Sequence, residues 1–219
     1  MSESRPVTLH RYRIVYARGE ELRYVGHLDM QTVWERTLRR ARVPVVFSQG
    51  FNPRPRFHIA AALPLGFTSR CEIADVWLTE EMPVSSLLER LQKASPPGLS
   101  IQSIIEVPLD WPALQTRVSQ AEYSIEFLNE VSLEDLQQKV QGVLAQTSLP
   151  RLWRKKSYDL RPLIHAIEII SPSPPKQSPS LRMVLSAQEG ATGRPEEVLS
   201  MLGIDSTEVR VERTRLLLD

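Results

Sequence analysis

The sequence is poor in the residues that build disulfides and metal clusters. It has 219 residues and one cysteine, Cys71, which excludes an intramolecular disulfide and a multi-cysteine metal site. A chain without disulfides is typical of the cytoplasm, and we expect a cytoplasmic protein. The first residues, MSESRPVTLHRYRIVY, contain no apolar segment of the kind a signal peptide needs. No apolar run approaches the roughly 20 residues of a membrane span, so no membrane contact is expected.

Several enzyme motifs are also missing. The sequence contains no GxGxxG, GxxxxGK[ST], HExxH, GxSxG or CxxxCxxC pattern. These absences argue against a nucleotide-driven motor, a zincin, a serine hydrolase and an iron–sulfur radical enzyme. We therefore predict neither a cofactor nor a metal site, and no catalytic motif is complete.

Charge is distributed unevenly, although the formal net charge is only +1. Residues 1–61 carry 11 Lys and Arg against 5 Asp and Glu, residues 62–150 carry 5 against 12, and residues 151–161 carry 5 against 1. Two basic segments therefore flank an acidic one. A basic surface suits a phosphate-rich partner, whereas pairing between the segments would leave only ordinary solvated faces.

Hydrophobic periodicity predicts an α+β fold of two tandem ferredoxin-like (βαββαβ) units with antiparallel sheets. The units are expected at residues 1–110 and 111–219, joined near Pro108–Ser119. The predicted extended segments are 9–17, 22–25, 43–47, 57–63, 71–79, 99–107, 121–128, 151–158, 163–170, 181–187 and 209–217. The predicted helices are 28–42, 83–94, 133–146 with Ser132 as cap, and 193–202 with Pro195 in the first turn. The Pro- and Ser-rich stretch 171–180 is predicted to be a mobile loop.

The stretch from Gly26 to Gly66 contains the most unusual residue choices. A helix that becomes strongly basic is followed by the loop sequence Gly-Phe-Asn-Pro-Arg-Pro-Arg. Arginine binds phosphate through a planar fork, and aromatic rings among arginines can stack on unpaired bases. The alternative is that Trp34, Phe47 and Phe57 are core residues and that the loop is only a fixed crossover. The residues predicted to bind RNA or phosphate here are Arg36, Arg39, Arg40, Phe51, Asn52, Arg54 and Arg56.

A second basic segment, Arg151–Pro162, also mixes aromatic and cationic residues. Its cations would neutralise phosphates, or would protect an exposed strand edge from pairing with other chains. Both interpretations stand. The residues predicted to bind RNA or phosphate here are Arg154, Lys155, Lys156 and Arg161.

His27 and Asp29, at the start of the basic helix, are weak candidates for general acid–base chemistry. A histidine before a helix is more often a capping or packing residue, and Asp29 also suits the positive end of the helix dipole. A metal shared by His27 and His58 is poorly indicated, because no cysteine pair accompanies them.

The sequence resembles a bacterial family of radical-SAM-associated, or radical-SAM-linked, proteins of unknown function. The resemblance rests on Val25–Asp29 (VGHLD), the arginines that follow and Ser48–Arg56 (SQGFNPRPR), with LPLG at Leu63–Gly66 and DLRP at Asp159–Pro162. It extends from about Arg11 to Ile170. The sequence departs from the family pattern at Gly26, where serine is usual, and at Arg54, where histidine is usual.

The resemblance implies a radical SAM protein as partner, since members occur beside such proteins or fused to their C-terminus. The favoured hypothesis is an accessory RNA-binding or substrate-presenting module that works with a radical SAM enzyme in RNA modification. One alternative is a metal-independent endoribonuclease using His27. The tandem unit order also resembles CRISPR repeat-processing endoribonucleases, but their glycine-rich C-terminal loop is absent. The other alternative is an adaptor that docks the radical SAM protein without contacting RNA.

Overall fold

The chain folds as a mixed α+β protein, as the sequence predicts. The structure is a computed structural model that describes residues 8–153, 155–172 and 178–219. It contains four α-helices in those ranges and strands that pair mostly antiparallel. The chain divides into two compact units, Met1–Arg117 and Val118–Asp219.

The first unit places two helices against one face of an antiparallel sheet. Its elements are β1 (His10–Arg18), α1 (His27–Arg40), β2 (Phe57–Ile59), β3 (Thr68–Leu78), α2 (Val84–Ala94) and β4 (Leu99–Val107). β1 pairs with both β3 and β4, and β2 pairs with β3 beyond β1. The strand order of this unit is therefore β4–β1–β3–β2.

The core of the first unit follows from alternation along β1. Tyr12, Ile14 and Tyr16 are at most 1% exposed, and they join the buried residues of α1 and α2 in one apolar cluster. Trp34 of α1 lies at the centre, with its ring 4.9 Å from that of Tyr16 and 4.8 Å from that of Phe57. The interpretation of Trp34 and Phe57 as core residues is confirmed.

Three predicted extended segments of the first unit are wrong in extent. Residues 22–25 form no strand, and Leu22 is the last residue of a short 3₁₀ turn at 20–22. The buried Arg18 guanidinium holds this segment by donating hydrogen bonds to the carbonyls of Leu22, Arg23 and Val25. Residues 43–47 form only isolated bridges. The strand predicted over 57–63 stops at Ile59, ahead of a turn at Pro64–Gly66 in which Gly66 has a φ of 83°.

The bridges at 43–47 have a simple cause. Pro44 carries no N–H, so only its carbonyl takes part in pairing, and it accepts from Thr79 N at 2.8 Å. Val46 N donates to Trp77 O at 2.8 Å, and Val45 and Phe47 form single bridges to Leu78 and Pro55. The segment therefore borders β3 without forming a regular strand.

The second unit has the same order of main elements with an added hairpin. Its elements are β5 (Val118–Phe127), α3 (Leu133–Leu144), β6 (Pro150–Trp153), β7 (Lys156–Asp159), β8 (Ile164–Ile170), β9 (Ser180–Gln188), β10 (Ala191–Thr192), α4 (Pro195–Met201) and β11 (Val209–Leu218). β5 pairs with β9 and β11, and β8 pairs with β9, giving the order β11–β5–β9–β8. β6 and β7 pair only with each other among the described strands, and β10 pairs with the end of β9.

Two local predictions for the second unit are confirmed. Ser132 caps α3, its Oγ accepting a hydrogen bond from Asp135 N at 3.4 Å. Pro195 begins α4, where its missing N–H has no helical partner to lose.

The extended segment predicted at 151–158 is a hairpin instead. Five residues of the predicted loop at 171–180, namely 173–177, lie outside the described residues. None of the described helices combines the length and hydrophobicity that a membrane-crossing helix needs.

Candidate functional site

Helix α1 presents a basic face to solvent because its apolar residues are used in the core. Met30, Trp34 and Leu38 recur at helical spacing and are at most 2% exposed. The helix has three exposed arginines, namely Arg36, Arg39 and Arg40. None of them forms an ion pair with a residue of the described ranges. Arg39 and Arg40 lie in the last turn, where the helix dipole also favours cations.

The end of α1 turns the chain toward a loop of residues 48–54. Arg42 adopts a φ of 53°, the left-handed conformation that ends many helices. The hydrogen bond from Val46 N to Trp77 O then fixes the following segment along β3. As a result, the loop emerges beside the exposed side of α1.

The loop at 48–54 is closed at its base and exposed at its tip. Ser48 N donates to Arg54 O at 2.8 Å, and Arg54 N donates to Ser48 Oγ at 3.1 Å. Gly50 has a φ of 131°, which a residue with a side chain rarely adopts. Phe51 follows it and is fully exposed, at 106% of its reference area. Asn52 is exposed as well. The loop therefore holds an aromatic ring in solvent on a short, closed base.

A cleft of about 170 Å³ lies between α1 and the chain segments on either side of this loop. It is lined by Glu35, Leu38, Arg39, Val43, Val45, Phe47 and Pro55. Phe47 is 51% exposed, so its interpretation as a core residue is wrong. Arg54 Nη1 lies 3.9 Å from Glu35 Oε1, which places the loop arginine at the rim of the cleft. The structure thus brings Arg39, Arg54 and Phe47 to one place.

Arg56 lies on the other side of the extended segment. Its guanidinium stacks on the ring of Trp77, 4.3 Å from the centroid, and the His58 ring meets the same tryptophan at 4.9 Å. Phe57, between them, points into the core against Trp34. Arg54 and Arg56 therefore have different neighbours, since Arg54 lies near Glu35 of α1 and Arg56 stacks on Trp77 of β3. Burial lowers the pKa of His58, and the neighbouring Arg56 charge acts in the same direction.

A buried charge cluster lies beneath Trp77. Asp75 is fully buried and accepts hydrogen bonds from Arg11 at 2.9 and 2.6 Å and from Arg13 at 2.8 and 3.0 Å. Arg11 also donates to the carbonyls of Trp111 and Pro112 at 2.7 and 3.0 Å. The segment before Val118 is thereby fixed to the first unit. The sequence predicts that Arg11 and Arg13 lie in the extended segment 9–17, but sequence reasoning missed this role. The signal was Asp75, a charged residue in the middle of an apolar strand.

The weak catalytic candidates lie at the start of α1. His27 is half-buried and Asp29 is exposed, and Gly26 at the N-cap position provides no side-chain hydrogen bond. His58 packs against Trp77. Within the described ranges, no group of three or more His, Cys, Asp or Glu side chains is placed to hold a metal ion.

The second basic segment forms the β6–β7 hairpin and the turn after it. Lys155 and Lys156 are exposed at the hairpin turn, and Lys155 has a φ of 67°. Arg154 lies outside the described residues. Trp153 carries the Arg194 guanidinium on its ring at 4.0 Å. The hairpin therefore presents two lysines and a partly exposed tryptophan.

Arg161 has a structural task in the same segment. Its guanidinium donates to the carbonyls of Gln146, Ile164 and Leu144 at 3.0, 3.3 and 3.3 Å. Leu144 ends α3, so the cation sits at the negative end of that helix. Asp159 accepts from the backbone N–H groups of Leu149 and Arg161, and these bonds hold the pKa of its carboxyl below the ordinary value.

A family model described as "Uncharacterized protein conserved in bacteria (DUF2344)" matches residues 11–195, most of the chain. The chain belongs to this family. No curated protein matches it. In this DUF2344 protein the matched residues run from β1 to the first residue of α4, so they include α1, the exposed loop and the β6–β7 hairpin.

Solved structures resemble this DUF2344 protein at low sequence identity. A chain of a Cbf5–Nop10–Gar1 complex has 9% identity and a TM-score of 0.48, over 98% of this chain and 52% of that chain. A chain of an H/ACA RNP bound to a substrate RNA containing 2′-deoxyuridine has 10% identity and a TM-score of 0.43, over 98% and 50%. An unknown protein from Galdieria sulphuraria has 14% identity and a TM-score of 0.27, over 97% and 99%. The chain spans about half the length of the first two.

Proposed function

We propose that this DUF2344 protein is an accessory RNA-binding or substrate-presenting module that works in the cytoplasm with a radical SAM enzyme, in RNA modification. The observation that carries the proposal is the closed loop 48–54, which holds Phe51 fully in solvent beside the exposed arginines of α1. Exposed aromatic rings next to arginines are the means by which proteins bind single-stranded nucleic acid.

Electrostatics supports this assignment. Arg36, Arg39 and Arg40 have no acidic partner among the described residues, and Arg54 has only a long contact to Glu35. Unpaired surface guanidinium groups are available for phosphate, which they bind through two parallel hydrogen bonds. Arg56 adds a cation on the other side of the same segment. In the second unit, Lys155, Lys156 and Arg154 are proposed as phosphate contacts in their own right.

The closed loop base favours binding by limiting its entropic cost. Pro53 and Pro55 fix two φ angles, and the reciprocal hydrogen bonds between Ser48 and Arg54 hold the ends together. A segment that is already ordered loses little freedom when it meets its ligand. Phe51 would then stack on an unpaired base without a preceding folding step.

We also propose that each unit is a ferredoxin-like fold. The strand orders β4–β1–β3–β2 and β11–β5–β9–β8, each with two helices at equivalent positions in the element order, support this. The radical SAM partner rests on the sequence resemblance at VGHLD and SQGFNPRPR. Because the chain has one cysteine, the iron–sulfur chemistry would belong to the partner.

Binding of the full chain to fluorescent single-stranded and structured RNA, across a salt series, tests the proposal. We expect affinity that falls steeply with salt, that drops at least tenfold in Arg39→Ala/Arg54→Ala, and that falls about fivefold or more in Phe51→Ala. Arg90→Ala/Lys93→Ala removes the same charge from exposed positions of α2 and should bind like the wild type. Equal binding by all of these variants, or no binding at low salt, would remove the proposal.

A second candidate function is docking of the radical SAM partner without RNA. It is favoured by large apolar side chains that remain exposed near α1: Tyr24 at 73%, Leu28 at 75% and Leu65 at 62%. Co-purification of the two proteins from nuclease-treated material, lost in Leu28→Ser/Leu65→Ser, together with no RNA binding, would select it. Dependence of association on added RNA would select the first proposal.

A further inference from the structure

We infer that the cleft between α1 and the base of the loop, at Phe47 and Pro55, receives one unpaired guanine base, read by the Glu35 carboxylate. The inference rests on the proposed RNA binding and gives it a sequence preference. It comes from a feature that phosphate binding alone does not explain: a carboxylate that lines the cleft together with Arg39 and lies near Arg54.

The floor and walls of the cleft suit a flat aromatic ligand. Leu38 and Val45 form a buried apolar floor, at 1% and 8% exposure, and Phe47 and Pro55 form a wall on the loop side. Its volume of about 170 Å³ is below the roughly 300 Å³ at which pockets for drug-sized molecules begin. A single base, with the rest of its nucleotide outside, matches this size and the stacking surface of Phe47.

The cations at the rim define where the RNA backbone would run. Arg39 follows Glu35 by one helical turn, and Arg54 faces the carboxylate from the loop at 3.9 Å. Phosphates on either side of a seated base would meet these two arginines. A nucleotide whose base enters the cleft is therefore held at its backbone by cations from two different elements.

Glu35 is the residue that gives the cleft its chemical selectivity. Its side chain is only 28% exposed, and no hydrogen bond to its carboxylate comes from residues 8–153, 155–172 or 178–219. A carboxylate on a phosphate-binding surface repels the ligand unless the ligand brings hydrogen-bond donors to it. In RNA those donors are the N–H groups on the edges of the bases.

Guanine is the base that satisfies a carboxylate best. Its N1–H and N2–H₂ groups are adjacent donors, so both oxygens of Glu35 would accept at once. Adenine and cytosine place an amino group beside a ring nitrogen that is an acceptor. The amino group would donate one hydrogen bond to the Glu35 carboxylate, and the ring nitrogen would repel its second oxygen. Uracil flanks its single N3–H with two carbonyl oxygens and fits least. The expected order of affinity is guanine first and uracil last.

The test uses single-stranded oligonucleotides of about 12 nucleotides, a length that one binding surface can cover. A uridine strand with one central guanosine is compared with all-uridine and with inosine in place of guanosine, since inosine lacks the N2 amino group. We expect the guanosine strand to bind at least about fivefold more tightly than the uridine strand, and inosine to lose most of that advantage.

Two variants separate base reading from phosphate binding. Glu35→Gln should reduce the guanosine preference to less than about twofold, whereas Glu89→Gln, the same change at an exposed position of α2, should keep the full preference. Circular dichroism and thermal unfolding would show that both variants are folded. Equal affinity for all three strands in the wild type would overturn the inference, and so would a preference that Glu35→Gln retains. Either result would leave the salt-dependent binding, and with it the proposed function, intact.

Discussion

Replacing Asp75 by asparagine should destabilise the first unit more than any change on its surface. The carboxylate is fully buried and accepts four hydrogen bonds from Arg11 and Arg13, both of which are nearly buried. Asparagine keeps the shape of the side chain but removes its charge. The guanidinium groups of Arg11 and Arg13 are then buried without the carboxylate that neutralises them. Breaking a buried ion pair in this way typically costs about 3–5 kcal/mol.

Urea unfolding followed by tryptophan fluorescence measures this effect. Three of the four tryptophans, Trp34, Trp77 and Trp111, belong to the first unit, and two of them touch the cluster. With a urea m-value of about 1–3 kcal/mol/M, a loss of about 3 kcal/mol lowers the midpoint by about 1–3 M. The m-value itself should stay constant, because the surface exposed on unfolding is the same.

The control is an ion pair at the surface. Glu35→Gln removes the 3.9 Å contact to Arg54, whose side chain is 69% exposed, and should cost less than about 1 kcal/mol. If Asp75→Asn unfolds within about 1 kcal/mol of the wild type, with an unchanged m-value, the carboxylate does not hold the two arginines and the reasoning is refuted.

Four further changes have expected outcomes. Trp34→Ala removes a fully buried ring and should cost about 3–5 kcal/mol in the same urea assay; a loss below about 1 kcal/mol would mean the core can refill the space. The pKa of His58 is lowered in the folded protein, so as pH falls the unfolded chain takes up a proton at this residue before the folded chain does. Stability should therefore fall as pH drops below about 6.5, and His58→Phe should flatten that part of the stability–pH curve. Arg161→Ala should cost about 1–2 kcal/mol by exposing the end of α3, with Lys156→Ala as the neutral comparison. Gly98→Ala should cost about 1–3 kcal/mol, because φ is 82° and a Cβ would lie 3.0 Å from the Leu22 Cγ; unchanged thermal unfolding would contradict this.

Regular elements could be predicted where burial alternates with the right period. The strand over 99–107 and the caps at Ser132 and Pro195 agree with the structure, since local spacing and end signals decide them. The predictions failed at 22–25 and 43–47, where long-range contacts decide the backbone. The Arg18 guanidinium bends the first segment, and pairing to β3 shapes the second.

The candidate site was only partly accessible to sequence reasoning. The loop that carries Phe51 and the basic side of α1 follow from the Gly and Pro signals and from helical spacing. In the structure Phe51 and the three arginines of α1 are exposed. The cleft did not follow, because Phe47 looks like a core residue when only its apolar neighbours in the chain are counted. Glu35 also went unnoticed, since its relation to Arg54 depends on where the loop folds back.

The count of arginines in residues 1–61 overstates the basic surface. Arg11, Arg13, Arg18 and Arg23 are at most 8% exposed and serve the interior. Among the described residues of this stretch, 8–61, the exposed arginines are Arg36, Arg39, Arg40, Arg42, Arg54 and Arg56. The basic surface of the first unit is therefore smaller than net charge suggests, and denser.

The small number of exposed arginines on this surface limits how strongly salt can weaken RNA binding there. Each phosphate contact on single-stranded nucleic acid contributes about −0.7 to the slope of log K against log salt concentration, so these six arginines account for at most about −4. Arg36→Ala/Arg39→Ala/Arg54→Ala should make the slope less steep by about 2, whereas Arg90→Ala/Lys93→Ala should leave it as it is. A slope that the triple variant does not change would place the phosphate contacts elsewhere on the chain, and the β6–β7 hairpin would then be the surface to vary next.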